Sequence, residues 1–146
     1  MSCVTEPAKT AVALARVLLV DDEPASRLAL QAILRAGGYE VDAAASAAEA
    51  VRKLNEGEYE LVLTDLRMES PEAGLRVLAH ARIVDYKPAT ALITTYQDGK
   101  VPQTSAGADQ PLLIAPEDLP ELLTKVADLI GERVTRRVAR ALRRTG

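Results

Sequence analysis

At 146 residues the chain has room for one domain with a real core, but not for two. Lys and Arg number 18 against 21 Asp and Glu, a net charge of −3, which argues against a nucleic-acid-binding core. No apolar run approaches the roughly 18 residues of a membrane span, and the single cysteine, Cys3, excludes both a disulfide framework and a thiolate metal site. With no Phe or Trp, the core must be built from Leu, Ile, Val and Ala.

Residues 1–15 read as a flexible lead-in. Glu6, Pro7 and Lys9 precede only a short apolar stretch, which is not a signal peptide, so a cytoplasmic protein is expected. The first buried strand is RVLLV, residues 16–20, and it runs directly into Asp21, Asp22, Glu23 and Pro24. Pro24 suits a first helical position, where its missing N–H is no loss. Leu28, Ala29, Ala32 and Ile33 then recur at helical spacing until Gly37-Gly38 stops the helix. Tyr39, Val41 and Ala43 alternate with acids, as in a half-buried edge strand. Ser46 and Glu49 form a capping box that opens a helix through Val51 and Leu54, ended by Gly57.

The run YELVLTDLRM, residues 59–68, carries a strand apolar enough to be covered on both faces, and it ends in Thr64-Asp65. Ser70-Pro71 opens a third helix with Leu75, Val77, Leu78 and Ala81 inward and His80 on a solvated face. A fourth strand, residues 89–94, ends at Thr94-Thr95-Tyr96. Residues 97–109 hold Gly99, Pro102 and Gly107 with almost no apolar periodicity, so at most a turn or two of helix is expected there. A short fifth strand follows at residues 112–114. Asp118 and Glu121 cap a last helix with Leu122, Val126, Leu129 and Ile130 inward. Strand and helix alternate with short connections, which predicts a doubly wound parallel α/β sheet.

Ligands in such sheets bind at the carboxyl ends of the strands. If the first and third strands are neighbours, Asp21, Asp22 and Asp65 converge there. Like charges at that range disfavour one another, so one takes a proton or a cation enters. An oxygen-only site with few protein ligands suits Mg²⁺, beside which Asp65 could attack phosphorus and form an acyl phosphate, with the Thr94 hydroxyl near the new phosphoryl oxygens.

The runs VLLVDDEP, LVLTDLRM and ALITTY together resemble the receiver domain of bacterial two-component response regulators, over about residues 16–130. The resemblance implies a flavodoxin-like sheet of five parallel strands in the order 2-1-3-4-5. It makes Asp65 the phosphoacceptor, charged by a histidine kinase or a phosphotransfer protein with Mg²⁺ as cofactor. Asp22 matches the direct metal-binding acid, Asp21 its partner acting through water, and Arg67 the position whose backbone carbonyl reaches the metal. Thr94 matches the switch hydroxyl and Thr95 the small residue beside it, while Arg67 and Tyr96 flank the pocket rim. By the same resemblance the chain is no enzyme beyond its own phosphorylation and dephosphorylation at Asp65.

The departures concern the readout half of the domain. The family's fifth strand usually ends in Lys-Pro; here the residues are Ile114-Ala115-Pro116, so Ala115 stands where the phosphoryl-gripping Lys is expected. The aromatic switch residue is missing near Pro111 and Leu112, Glu69 replaces a usual Pro, and the fourth helix of the family is interrupted by Gly and Pro. Three readings follow: a stand-alone receiver, a pseudo-receiver that binds partners without being switched, and a small aspartyl phosphohydrolase. The last lacks the second acid two residues after the nucleophile, since Arg67 occupies that place. The guanidinium of Arg67 is a candidate to replace the missing ammonium, with Lys100 a weaker one.

The last segment is electrostatically distinct. Residues 132–146 hold six Arg and one Glu, a net +5, which leaves −8 on residues 1–131. Val134, Val138, Ala141 and Leu142 continue an apolar stripe through this basic extension, and Gly131 is expected to bend the helix. The organisation expected is a lead-in (1–15), a receiver (16–131) and a basic helical extension (132–146). About 15 residues beyond the last receiver helix are too few for a DNA-binding output domain, so output is expected through a downstream protein partner. A homodimer through the last helix is one outlet for the stripe; an acidic partner and an anionic surface are the others.

Overall fold

The computed structural model describes residues 15–65, 70, 72–93, 112–114 and 121–145. Five segments form parallel strands: β1 (Arg16–Val20), β2 (Glu40–Ala44), β3 (Leu61–Asp65), β4 (Ala89–Ile93) and β5 (Leu112–Ile114). Their spatial order is β2-β1-β3-β4-β5. The helices of the described residues are α1 (Pro24–Ala36), α2 (Ala47–Glu56), α3 (Ala73–Ile83) and α4 (Leu122–Thr145).

Side chains alternate across the central strands because the pleat has a period of two. Val17, Leu19, Leu61, Leu63 and Ile93 face one side, where Leu30 and Leu34 of α1 and Leu122 and Val126 of α4 cover them. Leu18, Val20 and Val62 face the other, under Ala50 and Leu54 of α2 and Val77 and Ala81 of α3. β3 lies at the centre, and all five of its residues are buried. Each fully buried Val or Leu contributes roughly 1.5–3 kcal/mol of transfer free energy. The core is not purely aliphatic, as expected from the lack of Phe and Trp: Tyr39 is buried on the first face and Tyr59 on the second.

Local signals explain most element ends. Glu23 caps α1 by accepting from the Ser26 N–H at 2.7 Å, and Pro24 sits in its first turn. Ser46 Oγ accepts from the Glu49 N–H at 3.1 Å, while the Glu49 carboxylate reaches back to the Ala45 N–H at 2.9 Å. Gly38 takes φ of 101° after α1, a conformation that costs an L side chain about 1 kcal/mol or more. Gly37 serves close approach instead: a Cβ there would lie 2.5 Å from Leu123 Cδ2 of α4.

Two further expectations need correction. The stripe Leu28, Ala29, Ala32 and Ile33 is not the inner face of α1: all four are exposed, Leu28 at 64%, and Leu30 and Leu34 pack instead. α1 is apolar around most of its circumference, so its helical period offers two stripes and only the sheet chooses between them. His80 is half-buried rather than solvated, with its Nε2 2.8 Å from Asn55 Oδ1 of α2. α4 runs as one continuous helix through Gly131, and nothing stands within 4 Å of where a Gly131 Cβ would be.

α4 is still held to the body two residues beyond the expected boundary at Gly131. Arg133 is only 4% exposed, its Nη2 donating to the Tyr86 carbonyl at 2.6 Å and its Nε to the Lys87 carbonyl at 2.9 Å. The guanidinium therefore satisfies two carbonyls in the turn before β4 while its stem packs against the body. The lead-in up to residue 14, residues 97–108, the interrupted helix after β4 and the capping position Asp118 lie outside the described residues.

Candidate functional site

The site forms where two neighbouring strands, β1 and β3, end. β1 pairs with β3 in the register Val20↔Thr64, so the next residues stand side by side: Asp21 just past the end of β1 and Asp65 as the last residue of β3. Asp21 is fully buried and Asp65 is 2% exposed, whereas Asp22 is exposed. One carboxylate oxygen from each of the three lies within 4.8 Å of the others.

Asp21 is held on several sides. Its N–H donates to the Ala44 carbonyl at 3.0 Å, its carbonyl accepts from Arg27 Nη1 at 3.0 Å, and its Oδ1 accepts from the Glu23 N–H at 3.0 Å. Its Oδ2 is buried with no hydrogen-bond partner. An unpartnered carboxylate oxygen normally costs about 1–3 kcal/mol or more when buried, so its retention beside two further carboxylates fits a cation-binding role. Three hard oxygen donors and one solvent-facing side match Mg²⁺, which keeps several of its waters. The residues present fit the metal.

Arg27 and Glu23 were not singled out from sequence. The only signal for Glu23 was its place before Pro24; for Arg27 there was none, because its acceptor is a backbone carbonyl. Arg67, Thr94, Thr95, Tyr96, Lys100 and Ala115 lie outside the described residues.

A family model described as the response regulator receiver domain matches residues 17–127. The chain belongs to the response regulator receiver family. Its receiver domain is 33% identical over 121 residues to the transcriptional regulatory protein GlrR of Escherichia coli, covering 81% of this chain and 27% of that protein. It is 32% identical over 126 residues to PrrA of Mycobacterium tuberculosis, covering 85% of this chain and 53% of that protein. The chain thus spans between about a quarter and a half of these curated relatives. Among solved structures, the response regulator TrrA of Thermotoga maritima in complex with Mg²⁺-BeF is 34% identical, with a TM-score of 0.66 over 80% of this chain and 99% of that one. TrrA has also been solved in complex with the histidine kinase ThkA, and that structure is 31% identical with a TM-score of 0.66, covering 80% of this chain and 98% of that one. The flavodoxin-like parallel α/β fold of two-component receivers is therefore this chain's fold. Among its described residues, no helix is long and apolar enough to cross a membrane.

Proposed function

We propose that this receiver accepts a phosphoryl group on Asp65 from a phosphohistidine of a histidine kinase or phosphotransfer protein. The observation that carries the reading is the buried Asp65 within 4.8 Å of Asp21 and Asp22. In the transfer, an Asp65 carboxylate oxygen bonds to phosphorus, the phosphorus–nitrogen bond breaks, and the imidazole leaves with the bond's electron pair. Asp22, exposed, and Asp21, buried, are the residues that would hold Mg²⁺ beside Asp65, with the Arg67 carbonyl as the family's third position. Bound there, the ion supplies charge neutralisation for the incoming phosphoryl oxygens. Burial of Asp65 limits water around the product, while Glu23 and Arg27 fix the Asp21 loop.

The phosphodonor has a surface to land on. α1 begins two residues after Asp22 and exposes Leu28, Ala29, Ala32 and Ile33 to solvent. An apolar patch next to the acceptor suits a partner that must bring a histidine to Asp65. The complex of TrrA with ThkA supports a donor of this class.

One observation favours a second reading. Ala115 occupies the position of the family's phosphoryl-gripping Lys, so a phosphorylated Asp65 has one fewer cation to stabilise it. In that case the chain is a pseudo-receiver whose contacts do not depend on phosphate. A phosphohydrolase reading finds less support, since no second acid follows Asp65 at the required position.

Labelling with acetyl phosphate and Mg²⁺ decides among them. The wild-type chain should gain one phosphoryl group, lose it on hydrolysis, and show none in Asp65→Asn. No labelling at any Mg²⁺ concentration would establish the pseudo-receiver, and steady turnover of phosphate esters would establish the hydrolase. Ala115→Lys should prolong the label if the missing ammonium is what limits it.

A further inference from the structure

At the opposite end of the sheet from Asp65, α2 and α3 leave an open groove at their carboxyl ends. Glu56, Glu58 and Asp85 line it together with Ile83 and Tyr86. All three acids are exposed, and Ile83 is 70% exposed. None of the three carboxylates takes part in an ion pair among the described residues. The basic groups nearby are engaged by other partners, and Arg133, which binds the Tyr86 and Lys87 carbonyls, also feels the charge of Glu58. Arg16 binds Asp42 at 2.9 Å and Glu40 at 3.5 Å, and the Lys87 ammonium donates to the Arg82 carbonyl at 2.7 Å. The groove is thus an acidic rim around an unburied branched apolar side chain.

The complementary surface is on the same chain. Beyond Arg133, α4 exposes Val134 (49%), Val138 (52%) and Leu142 (65%) in steps of four residues, one face of a helix. Arg136, Arg137, Arg140 and Arg143, all exposed, flank that stripe. Arg133 anchors the helix to the carbonyl of Tyr86, which also lines the groove, so the overhang starts beside the groove, and no residue of the overhang lines it.

We propose that two copies of this chain form a two-fold dimer in which the α4 overhang of each lies in the acidic groove of the other. A two-fold axis near Tyr86 brings each overhang across the neighbouring copy's groove, because exit point and groove adjoin. Residues 134–145 extend about 18 Å at 1.5 Å per residue, enough to follow a groove of one helix width. The stripe covers Ile83, and the arginines meet Glu56, Glu58 and Asp85. A parallel pairing of the two overhangs alone is disfavoured, since it sets like-charged arginines against one another with Glu132 as the only acid. The contact lies away from the phosphorylation pocket and does not depend on Asp65 accepting phosphate.

The test is the molar mass of the full chain by sedimentation equilibrium, with a charge swap. Wild-type chain should be dimeric at about 0.1 M salt and weaken by about tenfold or more near 1 M, as the screening length shrinks. One variant reverses the overhang (Arg137→Glu, Arg140→Glu, Arg143→Glu), and another reverses the groove (Glu56→Arg, Glu58→Arg, Asp85→Arg). Each alone should be monomeric with an unchanged circular dichroism spectrum. Mixed, they should recover a one-to-one dimer, because both reciprocal contacts are then restored. A groove-reversed chain that stays dimeric, or a wild-type chain that stays monomeric at high concentration, overturns the proposal.

Discussion

The carboxylate of Asp21 and that of Asp65 approach within 4.8 Å of each other at the ends of adjacent strands, and both are buried. Without a cation this pairing costs stability, because two like charges share a site poor in water. Asp21→Asn should therefore raise the thermal midpoint of the metal-free chain by about 2–4 °C, the shift expected from about 1 kcal/mol in a domain of this size. The same substitution should weaken Mg²⁺ binding, and Asp22→Ala should weaken it by about tenfold or more, since few other protein ligands remain. Titration calorimetry and thermal melts with and without Mg²⁺ check both halves. Unchanged Mg²⁺ affinity in Asp22→Ala would place the metal elsewhere.

If the exposed stripe on α1 receives the phosphodonor, as proposed, a substitution there separates chemistry from recognition. Leu28→Asp should leave acetyl phosphate labelling unaltered, because Leu28 is 64% exposed and supports no part of the core. Transfer from any phosphohistidine protein that labels the wild type should slow by about tenfold, the effect of removing one apolar anchor from a small interface. Equal slowing with both donors would mean that the substitution disturbs Asp65 itself.

Tyr86 sets an alkaline limit on stability. Burial, followed by the charge of Glu58, pushes its phenol up to about 12 from the usual 10, and its O–H donates to the Leu54 carbonyl at 2.8 Å. An acid raised in the folded state contributes stability that is complete below pH 10 and is lost as pH rises through about 12. Tyr86→Phe should cost about 1 kcal/mol at pH 7 through the lost hydrogen bond. Its penalty should shrink between pH 10 and 12, where the phenol of the unfolded wild-type chain ionises while that of the folded chain keeps its proton. Urea melts across that range measure the difference.

Arg133→Ala should destabilise the chain by about 1–3 kcal/mol, because it strands the Tyr86 and Lys87 carbonyls. It should also let α4 fray back toward residue 130, seen as loss of amide protection beyond that point. Arg133→Lys, with a single point donor in place of the planar fork, should recover part of the stability.

These residues also show what the sequence could and could not carry. The alternation of strands and helices, the capping box at Ser46 and the acids at the ends of β1 and β3 are local signals, and they place the fold and Asp21, Asp22 and Asp65. The inner face of α1 was not legible, because Leu28–Ile33 and Leu30–Leu34 are equally apolar and differ only in which one meets β1. Arg133 was illegible for another reason. Among six arginines its neighbours mark it as one more solvated charge, and its acceptors are backbone carbonyls that lie 46 and 47 residues away along the chain. Long-range partners without side chains leave no trace in periodicity.

Arg133 has a mechanical consequence. Only Pro88 separates its acceptor Lys87 from β4, a strand that runs the depth of the sheet toward the Asp65 end. The overhang of α4 is therefore a spoke and not a tether: its bearing is tied to the sheet by two hydrogen bonds and a continuous helix. A flexible linker transmits only how far two bodies stand apart. This one transmits direction, so a body bound to the overhang turns when the sheet turns.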